Sequence, residues 1–119
     1  MKEIKKWLEK AEKDLKRCEV CLINGDFEDC AFHAHQAAEK SLKALYIFRF
    51  KRLWKTHDLV AMLEKLKANK NLMEMCEILN KHYIETRYPT ETEYTEDIAA
   101  DALEKAKKVV EWAKENLKK

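Results

Sequence analysis

The chain has 119 residues with one glycine, one proline and 39% charged side chains, which nearly cancel to a net charge of +2. That length buries roughly two thirds of the unfolded surface, enough for one modest core, and reads as a single domain over residues 1–119. No apolar run approaches the roughly 20 residues that span a bilayer, so a membrane partner is not expected. The opening MKEIKKWLEKAEKDL alternates charges inside an amphipathic pattern, unlike a signal peptide. Four cysteines in that setting point to free thiols in a reducing cytoplasm.

Lys, Glu, Leu and Ala favour helix and the usual breakers are scarce, so the fold class is all-α. The first helix is predicted over residues 2–24, with an apolar stripe of Ile4, Trp7, Ala11, Leu15, Cys18 and Leu22. Asn24 and Gly25 end it in a left-handed cap. Asp26, Glu28 and Asp29 then suit the positive end of a second helix, about residues 27–50. Small and apolar residues cover several faces of that helix, from Cys30, Ala31 and Ala34 to Leu45 and Phe48, which predicts a central position. A polar strip of Gln36, Glu39, Lys40 and Lys43 interrupts it, and Glu39 and Lys43 stand at the i,i+4 spacing of a favourable pair.

Thr56 is the predicted N-cap of a short third helix carrying Leu59, Met62, Leu63 and Leu66. A fourth helix, about residues 70–85, carries Leu72, Met75, Cys76, Leu79 and Tyr83. In the irregular TRYPTETEYT that follows, Pro89 drives Tyr88 towards an extended conformation. Thr95, Glu96 and Asp97 open the last helix. Three long and two short helices with short connections make an up-and-down bundle of about five helices.

Charge is unevenly spread. Between residues 40 and 57 there are six Lys/Arg and no acid, whereas residues 85–104 hold seven acids against Arg87 alone. Either the two segments lie side by side and neutralise each other, or they polarise the surface and orient a charged partner.

Three blocks, FHAHQAAEKSLKALY at 32–46, THDL at 56–59 and YIETRYP at 83–89, together with Trp7 and the closing ALEKAKKVVEWAKE, resemble the HEPN family over nearly the whole chain. The resemblance implies a helical bundle that commonly forms a homodimer and works beside nucleotides or RNA. It also implies a partner, a minimal nucleotidyltransferase, in a toxin–antitoxin-like pair. Other relatives are metal-independent endoribonucleases, which place four to six residues between an Arg and the His that follows it, at a dimer interface. No cofactor is implied.

Arg52 and His57 meet that spacing with four residues between them. They depart from the pattern in two ways: Leu53 follows the arginine where a polar residue is usual, and the pair straddles a loop and a helix start. His57 would be the general base for a 2′-hydroxyl and Arg52 the cation for the phosphorane. The competing reading makes His57 a local hydrogen-bonding residue at the helix start. A second set, Gln36, Lys40, Lys43, Arg87 and Tyr88, suits a nucleotide or RNA, with the cations on phosphate, Gln36 on a polar edge and Tyr88 stacked on a base. The alternative there is a lattice of structural ion pairs, such as Glu39 with Arg87, which satisfies charges on a crowded helix.

Cys18 and Cys21, with Cys30 and His33 or His35, offer a zinc-like set. Cys18 sits on the apolar stripe and Cys30 among alanines, however, so they are expected to be small hydrophobes and no metal is expected. Phe50 and Trp54 stand out as aromatics in the basic loop, for a base or a partner to cover. The resemblance thus implies a HEPN-type module that binds a nucleotide or RNA and/or pairs with a minimal nucleotidyltransferase in a toxin–antitoxin-like system, with a metal-independent ribonuclease toxin using Arg52 and His57 as the alternative.

Overall fold

A computed structural model describes residues 2–118 and folds them as α1 (Lys2–Asn24), α2 (Phe27–Phe50), α3 (Leu59–Lys65), α4 (Lys70–Glu85) and α5 (Glu96–Leu117). The bundle measures 39 × 24 × 22 Å, and its long axis matches the roughly 35 Å that 23 helical residues span. No strand occurs among the described residues.

The helix ends follow local chemistry. Gly25 takes φ +81, and the Asp26 amide closes the end of α1 by donating to the Cys21 carbonyl at 2.8 Å. A Cβ on Gly25 would meet nothing, so the glycine is needed for its backbone angle and not for room. Asn69 and Thr95 cap α4 and α5 by accepting from the Leu72 and Ile98 amides at 2.8 and 3.3 Å. At α3 the cap is Asp58, whose carboxylate accepts from the Ala61 amide at 3.2 Å. Thr56, the cap expected from sequence, instead accepts the Asp58 amide at 3.1 Å and shapes the turn before it.

α2 is the central element, with 14 of its 24 residues buried. Leu42, Leu45, Leu59, Met62, Leu63, Leu79, Ala102, Ala106 and Val109 join in one core. Each large apolar side chain there contributes roughly 1.5–3 kcal/mol by leaving water. In α1 the buried stripe runs through Ile4, Ala11, Asp14 and Cys18, while Leu15 is only partly covered.

Long-range contacts set the directions. α1 and α2 form an antiparallel hairpin in which Cys18 meets Cys30 and Asp14 meets Lys40. α5 runs parallel to α2: the Cys30 thiol reaches the Ala99 carbonyl at 3.6 Å, and Arg49 donates to Asn116 at 3.0 Å. The acidic start of α5 therefore lies beside the start of α2, and the basic end of α2 lies beside the end of α5. The two charged segments sit towards opposite ends, so the surface is polarised rather than neutralised.

The aromatics of the basic loop are less free than the sequence suggested. Phe50 and Trp54 pack on Tyr46, with ring centroids 4.6 and 5.5 Å away, and Trp54 is half-buried against the core.

Candidate functional site

The polar strip of α2 splits to two sides because each residue turns about 100° around the helix. His33 and Lys40 face α1. There the buried Asp14 carboxylate accepts from Lys40, from His33 Nδ1 at 3.0 Å and from Arg17 at 3.4 Å. On the other side Glu39, 4% exposed, accepts from Lys43 Nζ at 2.7 Å through one oxygen and from His57 Nδ1 at 2.8 Å through the other. Lys43 also lies over the Trp7 ring, 5.5 Å from its centroid. Both buried carboxylates thus have cationic partners, as low-dielectric burial requires.

Glu39 positions an aromatic and cationic stack at the surface. The His57 ring lies on Tyr83 at 4.7 Å and 21°, and more than half of its side chain faces solvent. Fully buried His35 packs against the same tyrosine at 4.6 Å. Its Nε2–H donates to the His57 carbonyl at 3.0 Å, and its Nδ1 lies 3.3 Å from the Gln36 carboxamide. The Arg87 guanidinium covers Tyr83 at 4.8 Å, donates to its hydroxyl and stands 6.0 Å from the exposed Tyr88 ring. Asn80 ties the start of α3 to α4, accepting from the Leu59 amide at 3.0 Å and donating to Asp58 at 2.9 Å. The result is a hollow of about 280 Å³ lined by His57, Asp58, Asn80, Tyr83 and Ile84.

The residues singled out from sequence are only partly brought together. Arg87 and Tyr88 join His57 around Tyr83, and Gln36 adjoins through His35. Lys40 and Lys43 are held inward by Asp14 and Glu39, which is the structural pairing and not an open phosphate clamp. The proposed Glu39–Arg87 pair does not form, since Glu39 goes to Lys43 and His57 and Arg87 to Tyr83. Arg52 is exposed on a separate hollow of about 320 Å³ with Tyr46, Leu53, Trp54 and Lys65.

Asp14, His33 and Tyr83 complete the clusters and were missed as polar partners. The signal for Asp14 was available: it stands three residues after Ala11 and four before Cys18, an apolar-stripe position occupied by a charge.

Cys18 and Cys30 place their sulfurs 3.1 Å apart in the core. That hydrogen bond, followed by burial, pushes the Cys18 thiol well above its ordinary range, as for an inert buried thiol. His33 turns to Asp14 and His35 to the His57 carbonyl, and no group of three or more metal-ligating side chains occurs among the described residues.

Burial holds both His35 and His82 below the ordinary imidazole pKa of 6.5, despite opposing nearby carboxylates. The unfolded chain therefore binds more protons than the folded one in the range just below 6.5. Stability is complete above that pH and falls on acidification, by up to about 1.4 kcal/mol per pH unit for each ring. Urea midpoints measured between pH 7.5 and about 5 are expected to decline, and replacing His82 by glutamine is expected to flatten the decline.

A five-helix bundle with a central Ala-rich helix, buried carboxylates beneath a His–Tyr–Arg stack and polarised ends defines a specific class of small helical domain. The sequence matches the HEPN domain over residues 4–117, and the chain belongs to that family. It is 28% identical over 137 aligned positions to "Putative toxin MJ1304" of Methanocaldococcus jannaschii, covering 99% of this chain and 90% of that protein. Among solved structures, TT1696 from Thermus thermophilus superposes with a TM-score of 0.88 at 30% identity, over 98% of this chain and 99% of that one. ST0689, described as an archaeal HEPN homologue, superposes at 0.85 with 26% identity, over 98% of this chain and 99% of its own. No helix among the described residues is long and apolar enough to cross a membrane.

Proposed function

We propose that this HEPN domain is a nucleotide- or RNA-binding module, working as a homodimer and paired with a minimal nucleotidyltransferase in a toxin–antitoxin-like system. The observation that carries the binding reading is the exposed His57–Tyr83–Arg87 stack with Tyr88 beside it. Aromatic faces accept an unpaired base and a guanidinium accepts phosphate, the combination that single-stranded RNA requires. Gln36 lies at the inner edge of this face, while Lys40 and Lys43, neutralised by Asp14 and Glu39, serve the site by holding its foundation rather than by meeting phosphate. The toxin-named relative from M. jannaschii supports the toxin–antitoxin setting.

Fluorescence anisotropy with a labelled mixed-sequence RNA tests the reading. Arg87→Ala is expected to weaken binding about tenfold and lower the salt slope by about one. Equal binding by parent and variant at every salt concentration would remove Arg87 from the interface. Co-purification with a nucleotidyltransferase encoded beside the gene tests the pairing.

The Glu39–His57 contact favours a second reading, metal-independent RNA cleavage. A carboxylate on Nδ1 fixes the imidazole with Nε2 outward, the geometry of a general base. Arg52 would then act on the cleaved phosphate from the other subunit of a dimer, since within one chain it lines a different hollow. Incubation with RNA in EDTA separates the readings: cleavage by the parent and not by His57→Ala establishes the enzyme, and intact RNA in both leaves the binding module.

A further inference from the structure

The basic end of the bundle holds a hollow that base recognition at His57, Tyr83 and Arg87 leaves unused. It measures about 320 Å³ and is lined by Tyr46 from the last turns of α2, by Arg52, Leu53 and Trp54 from the loop, and by Lys65 at the end of α3. No carboxylate lines it. Arg52 and Lys65 enter no salt bridge among the described residues.

Two solvated cations alone would be an ordinary surface. The second observation is Tyr46, which is 4% exposed and packs its ring on Phe50 and Trp54. Its hydroxyl meets no hydrogen-bond partner among the described residues, yet it is not sealed. Among those residues the one side-chain polar atom both sealed and unpartnered is His82 Nε2. A hydroxyl this deep is satisfied only through an opening beside it, and the hollow that Tyr46 lines is that opening. Trp54, on the same wall, has an indole N–H that likewise donates to no described residue. The hollow thus combines two unpaired cations with two neutral donors, while Leu53 and the aromatic rings supply apolar surface.

We propose that this hollow binds a small organic phosphate monoester, with the phosphate among Arg52, Lys65 and the Tyr46 hydroxyl and its carbon stem on Trp54 and Leu53. Charge selects the head group. A phosphate monoester carries about −1.5 to −2 near neutral pH and matches two cations, whereas a carboxylate or a phosphodiester leaves one of them unmatched. The guanidinium fork meets two phosphate oxygens at once, and the ammonium meets a third as a point charge. Size limits the carrier, because ligand pockets span roughly 300–1,000 Å³ and this one stands at the small end. The Tyr83 stack lines a different hollow, so the site stands whether or not RNA binds there.

The test follows the Trp54 indole N–H by proton–nitrogen NMR while phenyl phosphate, phenyl methyl phosphate, phenylacetate or inorganic phosphate is added. Phenyl phosphate is expected to give a saturable shift, and the other three to bind about tenfold more weakly or less. Tyr46→Phe keeps the ring on Phe50 and Trp54 and removes only the unpartnered hydroxyl. Its urea midpoint is expected to match the parent's while its affinity for phenyl phosphate falls about tenfold. Lys65→Gln is expected to lower that affinity similarly and to flatten its salt dependence. No saturable shift with phenyl phosphate, equal affinity for any of the other three, or unchanged affinity in Tyr46→Phe overturns the proposal. Saturation by a 5′-phosphorylated oligonucleotide alone overturns it too, and makes the hollow part of an RNA interface.

Discussion

Replacing Glu39 by alanine is expected to destabilise the fold by about 3–5 kcal/mol, one of the largest effects of any single substitution in this chain. The reason is Lys43, whose side chain is 8% exposed and pairs with Glu39 at 2.7 Å. Removing the carboxylate leaves an ammonium buried between α1 and α2, with only the Trp7 ring 5.5 Å away to offset it. Urea denaturation of parent and variant measures the loss directly. Glu39→Ala combined with Lys43→Met is expected to recover most of it, because the stranded charge is then gone and an apolar chain of similar length replaces it. A loss below about 1 kcal/mol for Glu39→Ala would mean that water screens the pair as it does on a surface.

The same substitution separates structure from function. Glu39 also holds His57 Nδ1 at 2.8 Å, so its removal frees the imidazole from the stack on Tyr83. Glu39→Gln keeps the volume and retains an acceptor for His57 while losing the charge that holds Lys43. If binding or cleavage depends on a fixed His57, the glutamine variant is expected to be less impaired in function than the alanine variant at matched fractions folded.

Much of the bundle was legible because its signals are local. Gly25, Thr95 and the acids opening α2 act on backbone groups within a few residues, and the predicted spans for α1, α2 and α4 coincide with the helices formed. The central position of α2 was legible too, since alanines on several faces fit only a closely packed helix. Family membership followed from the order of three blocks along the whole chain.

The errors arose where two local options were equivalent or a partner was distant. Thr56 and Asp58 are both good caps two residues apart, and the backbone path of the loop decides which one reaches a helical amide. Leu15 looked better than Asp14 on the α1 stripe because hydrophobicity alone was counted. The cations of α2 make the opposite choice stable, since Lys40 and His33 supply partners across 26 and 19 residues of sequence. Glu39 was matched correctly with Lys43 within its own helix, but His57 reached it across a loop whose course no spacing rule gives. The strip on α2 is therefore a foundation of ion pairs, over which the loop before α3 and the end of α4 present the exposed His57, Tyr83 and Arg87.

That foundation depends on the apolar side of α2, and Leu42→Ala is expected to cost about 3–5 kcal/mol, in the upper range for such truncations. Leu42 is fully buried, and the cluster around it holds Ala31, Ala34, Ala38, Ala99, Ala102 and Ala106. Alanines have no side-chain torsions with which to fill a hole, and the helices they join already sit close. The cavity left by three missing carbons therefore persists and adds its own penalty to the lost transfer free energy. Leu53, in the loop and 37% exposed, is the contrast: its truncation is expected to cost less than about 1 kcal/mol. Urea unfolding of both variants, with unchanged slopes against denaturant, checks the pair. A Leu42→Ala loss below about 1.5 kcal/mol would mean that α1 or α5 moves in to close the gap. A shift of α1 would carry Asp14 and a shift of α5 would carry Ala99, so the ion pair to Lys40 or the contact with the Cys30 thiol would report the collapse at the same time.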